Sequence, residues 1–135
     1  MEDVVEALNK HAHWLLRLGI GSIFLYHGLT KFPQAAPMAE MMGMSVFMLV
    51  LVAAAETAGG ALVLLGGFGS QLFTRLGAVL LIPVMLGAIG MVHWGQWSFA
   101  PSETHPMGGM QFQVLIILVL GYLALRGSSG ASARL

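Results

Sequence analysis

One carboxylate, Glu56, lies inside the apolar run 44–65, and the side chains that could answer it are the cations Arg17, Lys31 and Arg75 and the imidazoles His27 and His93. A charged side chain at the centre of a membrane helix costs about 2.5–3.5 kcal/mol on insertion scales, so these groups are expected to face protein rather than lipid. Arg17 and Arg75 are the natural partners of Glu56 by charge. Such an Arg17–Glu56–Arg75 cluster could be a neutralising network that fixes helix register. Alternatively it could form a polar pocket for an anionic or quinone-like head group, or one step of a proton path.

The histidines divide by side. His11 and His13 fall at the start of the first apolar segment, and His27, His93 and His105 lie toward the opposite face, where a neutral imidazole can hydrogen-bond a ligand carbonyl. His93 follows Arg75 by 18 residues, five helical turns, which puts the two on one nominal face, with Pro83 between them expected to kink the helix. No metal or haem site is expected, because there is no His-x-x-x-His pair, no cysteine and no carboxylate at motif spacing from a histidine. The 10 methionines read as packing and interface residues rather than as a copper site.

The elements that must position these groups follow from composition. With 57% hydrophobic and only 9% charged residues, the chain is expected to be an all-α integral membrane protein. Its 135 residues suit a single membrane domain spanning 1–135. A formal net charge of zero offers no basic surface, which excludes nucleic acid as a partner. Without cysteine the chain can carry no disulfide, dithiol chemistry or iron–sulfur cluster of its own, so any redox role must come from a cofactor or a partner.

Four apolar segments, 14–32, 44–65, 72–92 and 110–126, each approach the roughly 20 residues that cross hydrocarbon. Four crossings leave both termini on one side of a four-transmembrane-helix bundle. Lys10, Arg17, Arg75, Arg126 and Arg134 mark that side as cytoplasmic, against Lys31 alone on the other, so the protein is expected to be multi-pass in the cell inner (cytoplasmic) membrane. The first segment reads as a retained span, since Glu2, Asp3 and Glu6 precede it and Arg17 interrupts it. Asp3 and Glu6 resemble a capping box that would start this helix in the cytoplasmic interface. Gly66, Gly67 and Gly69 form a tight turn. Residues 33–43, with Pro33 and Pro37, and residues 93–109, with Trp94, Trp97, Phe99, Pro101 and Pro106, read as loops. The longer one is either a docking surface or an aromatic belt at the membrane interface.

Helical periodicity predicts the buried faces. Arg17, Gly21, Phe24, Gly28 and Lys31 recur at intervals of four and three, and Glu56, Gly59, Gly60 and Val63 share a face of the next segment. Small residues on these stripes let backbones approach in lipid. At about 1.5 Å of rise per residue, Glu56 lies about 13 Å from the cytoplasmic end of its helix and Arg17 and Arg75 about 5 Å from theirs, a gap that long side chains can narrow. No phosphate-binding glycine loop, nucleophile elbow or catalytic carboxylate pair is present.

Arg17-Leu18-Gly19 through Phe24, Gly28 and Lys31, then Glu56 with Gly59, Gly60 and Leu64-Leu65-Gly66, then Arg75 and His93, resembles the DoxX family of small four-helix membrane proteins, over about Trp14 to Gly127. The resemblance implies a quinone-linked redox accessory, a subunit or partner of a larger membrane complex, more an accessory than a catalyst by itself. Quinone would then be the non-covalent cofactor, with Arg17, Glu56 and Arg75 as the polar cluster and His27, Lys31 and His93 as further contacts. Two alternatives remain open on the residues alone: a structural or assembly subunit without an active site, in a larger complex or homo-oligomer, and a small-molecule or proton conduit through Glu56.

Overall fold

The computed structural model describes residues 1–127, and every regular element among them is helical. Arg134, counted above toward the cytoplasmic side, and most of the Gly/Ser/Ala tail lie outside the described residues. The α-helices are α1 (Glu2–Asn9), α2 (His13–Lys31), α3 (Ala35–Met42), α4 (Val46–Leu65), α5 (Gln71–Ala88) and α6 (Gln111–Arg126). Tight 3₁₀ turns at Phe32–Gln34 and Gly66–Phe68 follow α2 and α4, and a π-helical turn, Ile89–His93, continues α5.

Local chemistry explains most boundaries. Ser45 caps α4 by accepting the Met48 N–H at 3.1 Å, and Ser70 caps α5 by accepting that of Phe73 at 3.2 Å. Gly69, at φ 116°, takes the left-handed conformation that turns the chain from α4 into α5. α2, α4, α5 with its π turn, and α6 match the four expected apolar segments closely.

Two expectations need correction. The segment 33–43 is not a plain loop, because α3 forms within it. Pro37 stands in the first turn of α3, where a missing N–H breaks no helical bond, and Gly43 closes it by donating to Ala39 and Glu40 carbonyls. The Asp3–Glu6 capping box is also absent: α1 starts at Glu2 with Met1 at the N-cap and no side-chain cap bond, so Asp3 falls within the first turn. α1 then ends at Asn9, separate from α2.

α2 packs on α4, α4 on α5, and α5 on α6. Both expected stripes point inward: Arg17, Gly21, Phe24 and Gly28 are buried on α2, and Glu56, Gly59, Gly60 and Val63 on α4. The helices meet backbone to backbone at several glycines, Gly28, Gly60 and Gly77 among them. A β-carbon on Gly28 would stand 2.7 Å from the Thr57 nitrogen, and one on Gly77 would stand 2.9 Å from the Gly59 carbonyl oxygen. Phe24, Val63, Leu81 and Leu120 fill the centre.

The outward surface is apolar. Val46–Phe68 and Gln71–His93 each run 23 residues at mean hydropathy 2.1, yet only 33% and 28% of their most apolar windows are buried. A core helix of a soluble protein would hide such a surface, whereas here Leu76, Val79, Leu86, Leu115 and Leu118 stand exposed. The chain is a membrane protein. α6 is apolar too, but at 16 residues it falls short of a full crossing by length.

Candidate functional site

Glu56 sits at the middle of α4, ten residues from Val46 and nine from Leu65, and is almost wholly buried. Its partner is Lys31, whose Nζ donates to Glu56 Oε2 at 2.6 Å. The ammonium also donates to the His27 carbonyl at 3.3 Å. Lys31 reaches this depth because it lies one turn beyond Gly28, and Gly28 touches α4 at Thr57, the residue after Glu56. Lys31 keeps 13% of its side chain exposed and Glu56 5%, so the pair is dry on the carboxylate side and slightly open on the ammonium side.

The structure does not assemble Arg17, Glu56 and Arg75 into one cluster. Arg17 is fully buried at the other end of α2, where Nη1 donates to the Val63 carbonyl at 2.6 Å and to Thr74 Oγ1 at 2.8 Å. Nη2 donates to the Gly127 carbonyl at 3.0 Å, and Nε to His13 Nδ1 at 2.9 Å. Helix C-termini explain the choice: Val63 and Gly127 belong to the ends of α4 and α6, whose carbonyls lack helical partners and carry the negative pole of the dipole. These groups take the place of a carboxylate. Arg75 is exposed and donates to the Ala124 carbonyl at 3.2 Å, again near the end of α6. Depth separates Arg17 from Glu56, since Arg17 lies 11 residues, about 16 Å of rise, before the Gly28 crossing.

Among the imidazoles, His27 faces outward, exposed, with its ring beside Tyr26 at a 5.7 Å centroid distance. It is not part of the buried polar groups. His93 is buried, 8% exposed, although Arg75 is exposed, so the shared face expected from five turns does not hold. The π turn over Ile89–His93 inserts extra residues per turn and breaks the 3.6 period, while α5 itself runs through Pro83. His93 Nδ1 lies 2.8 Å from the Gly108 carbonyl and Nε2 lies 3.0 Å from Gln113 Nε2.

The 94–110 connection that supplies Gly108 is tightly bonded. The N–H groups of Gly109, Met110 and Gln111 donate to Ser98, Gln96 and Trp97 carbonyls at 2.7–3.0 Å, and His105 Nε2 bonds the Trp94 carbonyl at 2.6 Å. His105 therefore orders this loop. Trp94, Trp97 and Phe99 project from it, all more than half exposed. His13, the first residue of α2 and just outside the expected span 14–32, is held below its ordinary imidazole range by burial first, then by Arg17 and by His11.

Sequence reasoning missed Thr74, the two carbonyl acceptors and Gln113. The four-residue spacing of His13 and Arg17 signals their contact, but nothing in the letters signals a bare carbonyl at a helix end. Gln113 is one of two glutamines in the first turn of a largely apolar α6, the other being Gln111, which is a weak signal.

The DoxX family profile matches residues 12–94, from the foot of α2 to just past His93. The chain belongs to the DoxX family. A relative named "Putative oxidoreductase CatD", from Bacillus subtilis (strain 168), is 37% identical to this DoxX chain over 117 residues, covering 84% of the chain and 78% of the relative. No solved structure matches it. The matched segment holds Arg17, Lys31, Glu56, Arg75 and His93 of the DoxX chain but ends before Gln113.

Proposed function

We propose that this DoxX protein is a multi-pass inner-membrane subunit or partner of a quinone-linked redox complex, with four spans and both termini in the cytoplasm. The observation that carries the reading is the Lys31–Glu56 pair, a nearly buried charge pair with its carboxylate at mid-helix, in a family whose relative bears an oxidoreductase name. Buried charge of this kind in a membrane is a functional hypothesis by default.

The residues fit a quinone head group. A ring carbonyl needs a hydrogen-bond donor in an otherwise apolar setting. Lys31 has three N–H donors, of which Glu56 and the His27 carbonyl take two, so one is left for such a carbonyl. When bound, quinone would supply the two-electron chemistry that a chain without cysteine lacks. Glu56 holds the ammonium in place and offers a second oxygen to a proton. Arg17 and Arg75 then serve the bundle: Arg17 ties α2 to the ends of α4, α5 and α6.

The test is Glu56→Gln in the native membrane. Quinone-dependent turnover per assembled complex should be abolished, and the amount assembled should itself fall because Lys31 loses its partner. Unchanged turnover per assembled complex ends the reading, and a fall in the amount assembled with turnover per complex retained points to a structural subunit.

A further inference from the structure

The one buried side-chain oxygen or nitrogen without a hydrogen-bond partner among the described residues is Oε1 of Gln113. Its orientation is fixed by its neighbours. A carbonyl can only accept, so the ring nitrogen facing the Gly108 oxygen, His93 Nδ1, must carry the proton. In the neutral ring Nε2 is then an acceptor, and the group 3.0 Å away on Gln113 must be its NH₂. Turning the amide over would set two acceptors against each other. Oε1 is therefore left facing away from His93 as a buried acceptor with no protein partner among the described residues, and such atoms call for an explanation.

Backbone geometry makes this arrangement deliberate. Gly108 has φ 81°, and a β-carbon there would run into the Phe99 carbonyl, so its oxygen is aimed at His93 by a turn that needs glycine. The π turn brings His93 inward from α5, and Gln113 comes from the first turn of α6. Three separate elements converge to set the polarity of one amide. Gln113 as a whole is only partly buried, and its neighbour Phe112 is exposed, while Oε1 itself is buried. No charged residue occurs on α6 before Arg126, which leaves hydrogen bonding as the recognition available there.

We propose that Gln113, oriented by His93 and Gly108, is a receiving site for the hydroxyl of a phenol-class ligand, and that in this protein the ligand is the reduced, hydroquinone form of the quinone. The assignment to a hydroquinone rests on the redox reading above; the acceptor site does not. Because Oε1 accepts and cannot donate, the site discriminates by redox state. A ring hydroxyl satisfies it, whereas a quinone carbonyl would face it oxygen to oxygen. Lys31, a donor, has the opposite preference.

The experiment uses the full chain in lipid nanodiscs, with empty nanodiscs as the blank and three probes: coenzyme Q1, its hydroquinone and 4-ethylphenol. The wild type should bind the hydroquinone about tenfold more tightly than the quinone, the worth of one well-made hydrogen bond. Gln113→Leu should erase that preference. In the wild-type protein, the ¹⁵N-labelled Gln113 side-chain amide should shift on adding hydroquinone and stay in place on adding quinone, a readout that survives if the variant does not fold. A folded Gln113→Leu protein that keeps the preference, or an unmoved Gln113 signal, overturns the site and leaves the quinone reading intact. Binding of 4-ethylphenol through Gln113 with neither Q1 form bound keeps the acceptor site and removes the quinone. No binding of any probe above the blank overturns the site, as does a structural water that stays on Oε1 in the presence of all three.

Discussion

Arg17 and Glu56 both face inward from adjacent helices, yet they make no bond to each other: Glu56 pairs with Lys31 at 2.6 Å, and Arg17 is met by the carbonyls of Val63 and Gly127. The two charges thus hold opposite parts of the bundle. Arg17 gathers the ends of α4, α5 and α6 around the start of α2, while Lys31, the last residue of α2, reaches Glu56 midway along α4.

Separate partners make separate energetic signatures. Removing one member of a buried pair leaves the other uncompensated, a loss of about 3–5 kcal/mol. Lys31→Met alone should therefore destabilise the protein strongly, and the Lys31→Met/Glu56→Gln double variant should recover much of the loss. Unfolding in detergent, arranged as a double-mutant cycle, reads the coupling. Additive losses would mean that the pair does not act as one unit.

At the other end, geometry matters more than charge. Arg17→Lys keeps the cation but cannot reach four acceptors with a planar fork, so losses on the order of 3 kcal/mol are expected from bonds worth about 1.5–3 kcal/mol each. Thr74→Val should cost less, about 1–2 kcal/mol, since it removes one acceptor and keeps the shape. The same unfolding assay ranks the two.

His13 gives a pH dependence whose sign follows from its burial and then from its neighbour Arg17. Arg17 Nε donates to His13 Nδ1, so protonation of the imidazole removes the acceptor and sets two cations together. The folded state therefore holds His13 below its ordinary value, mainly through burial. Stability from this group is present above the unfolded value, about 6.5, and is lost as pH falls below it through the folded value. Thermal unfolding followed from pH 7.5 to 5 should show the decline, and His13→Ala should flatten that part of the curve.

Glycines divide into contacts and spares. Gly28→Ala drives a β-carbon against the Thr57 backbone and Gly77→Ala against Gly59 and Val63, each expected to cost about 1–3 kcal/mol or more by overpacking. Gly121 has nothing within 4 Å of that position, so Gly121→Ala should be neutral or stabilising by up to about 1 kcal/mol through helix propensity. Equal effects at all three sites would contradict the packing described.

How much of this was legible in the letters depends on the range of the physics. Apolar runs and the 3.6 period are local, and they determined the all-helical class, the limits of α2, α4 and α6, and the inward stripes of Arg17, Phe24 and Lys31 on α2 and of Glu56 on α4. The helix α3 was hidden because prolines read as breakers without regard to which turn they occupy. His93 was misplaced relative to Arg75 because a π turn is invisible to a fixed period. The partners of the buried charges were decided only by tertiary structure. Glu56 takes Lys31 because the Gly28–Thr57 crossing sets the relative depth of two helices, and Arg17 takes backbone oxygens that no residue type encodes. Depth and helix-end carbonyls arise from how helices dock, and docking is where the sequence by itself stops and the fold chooses.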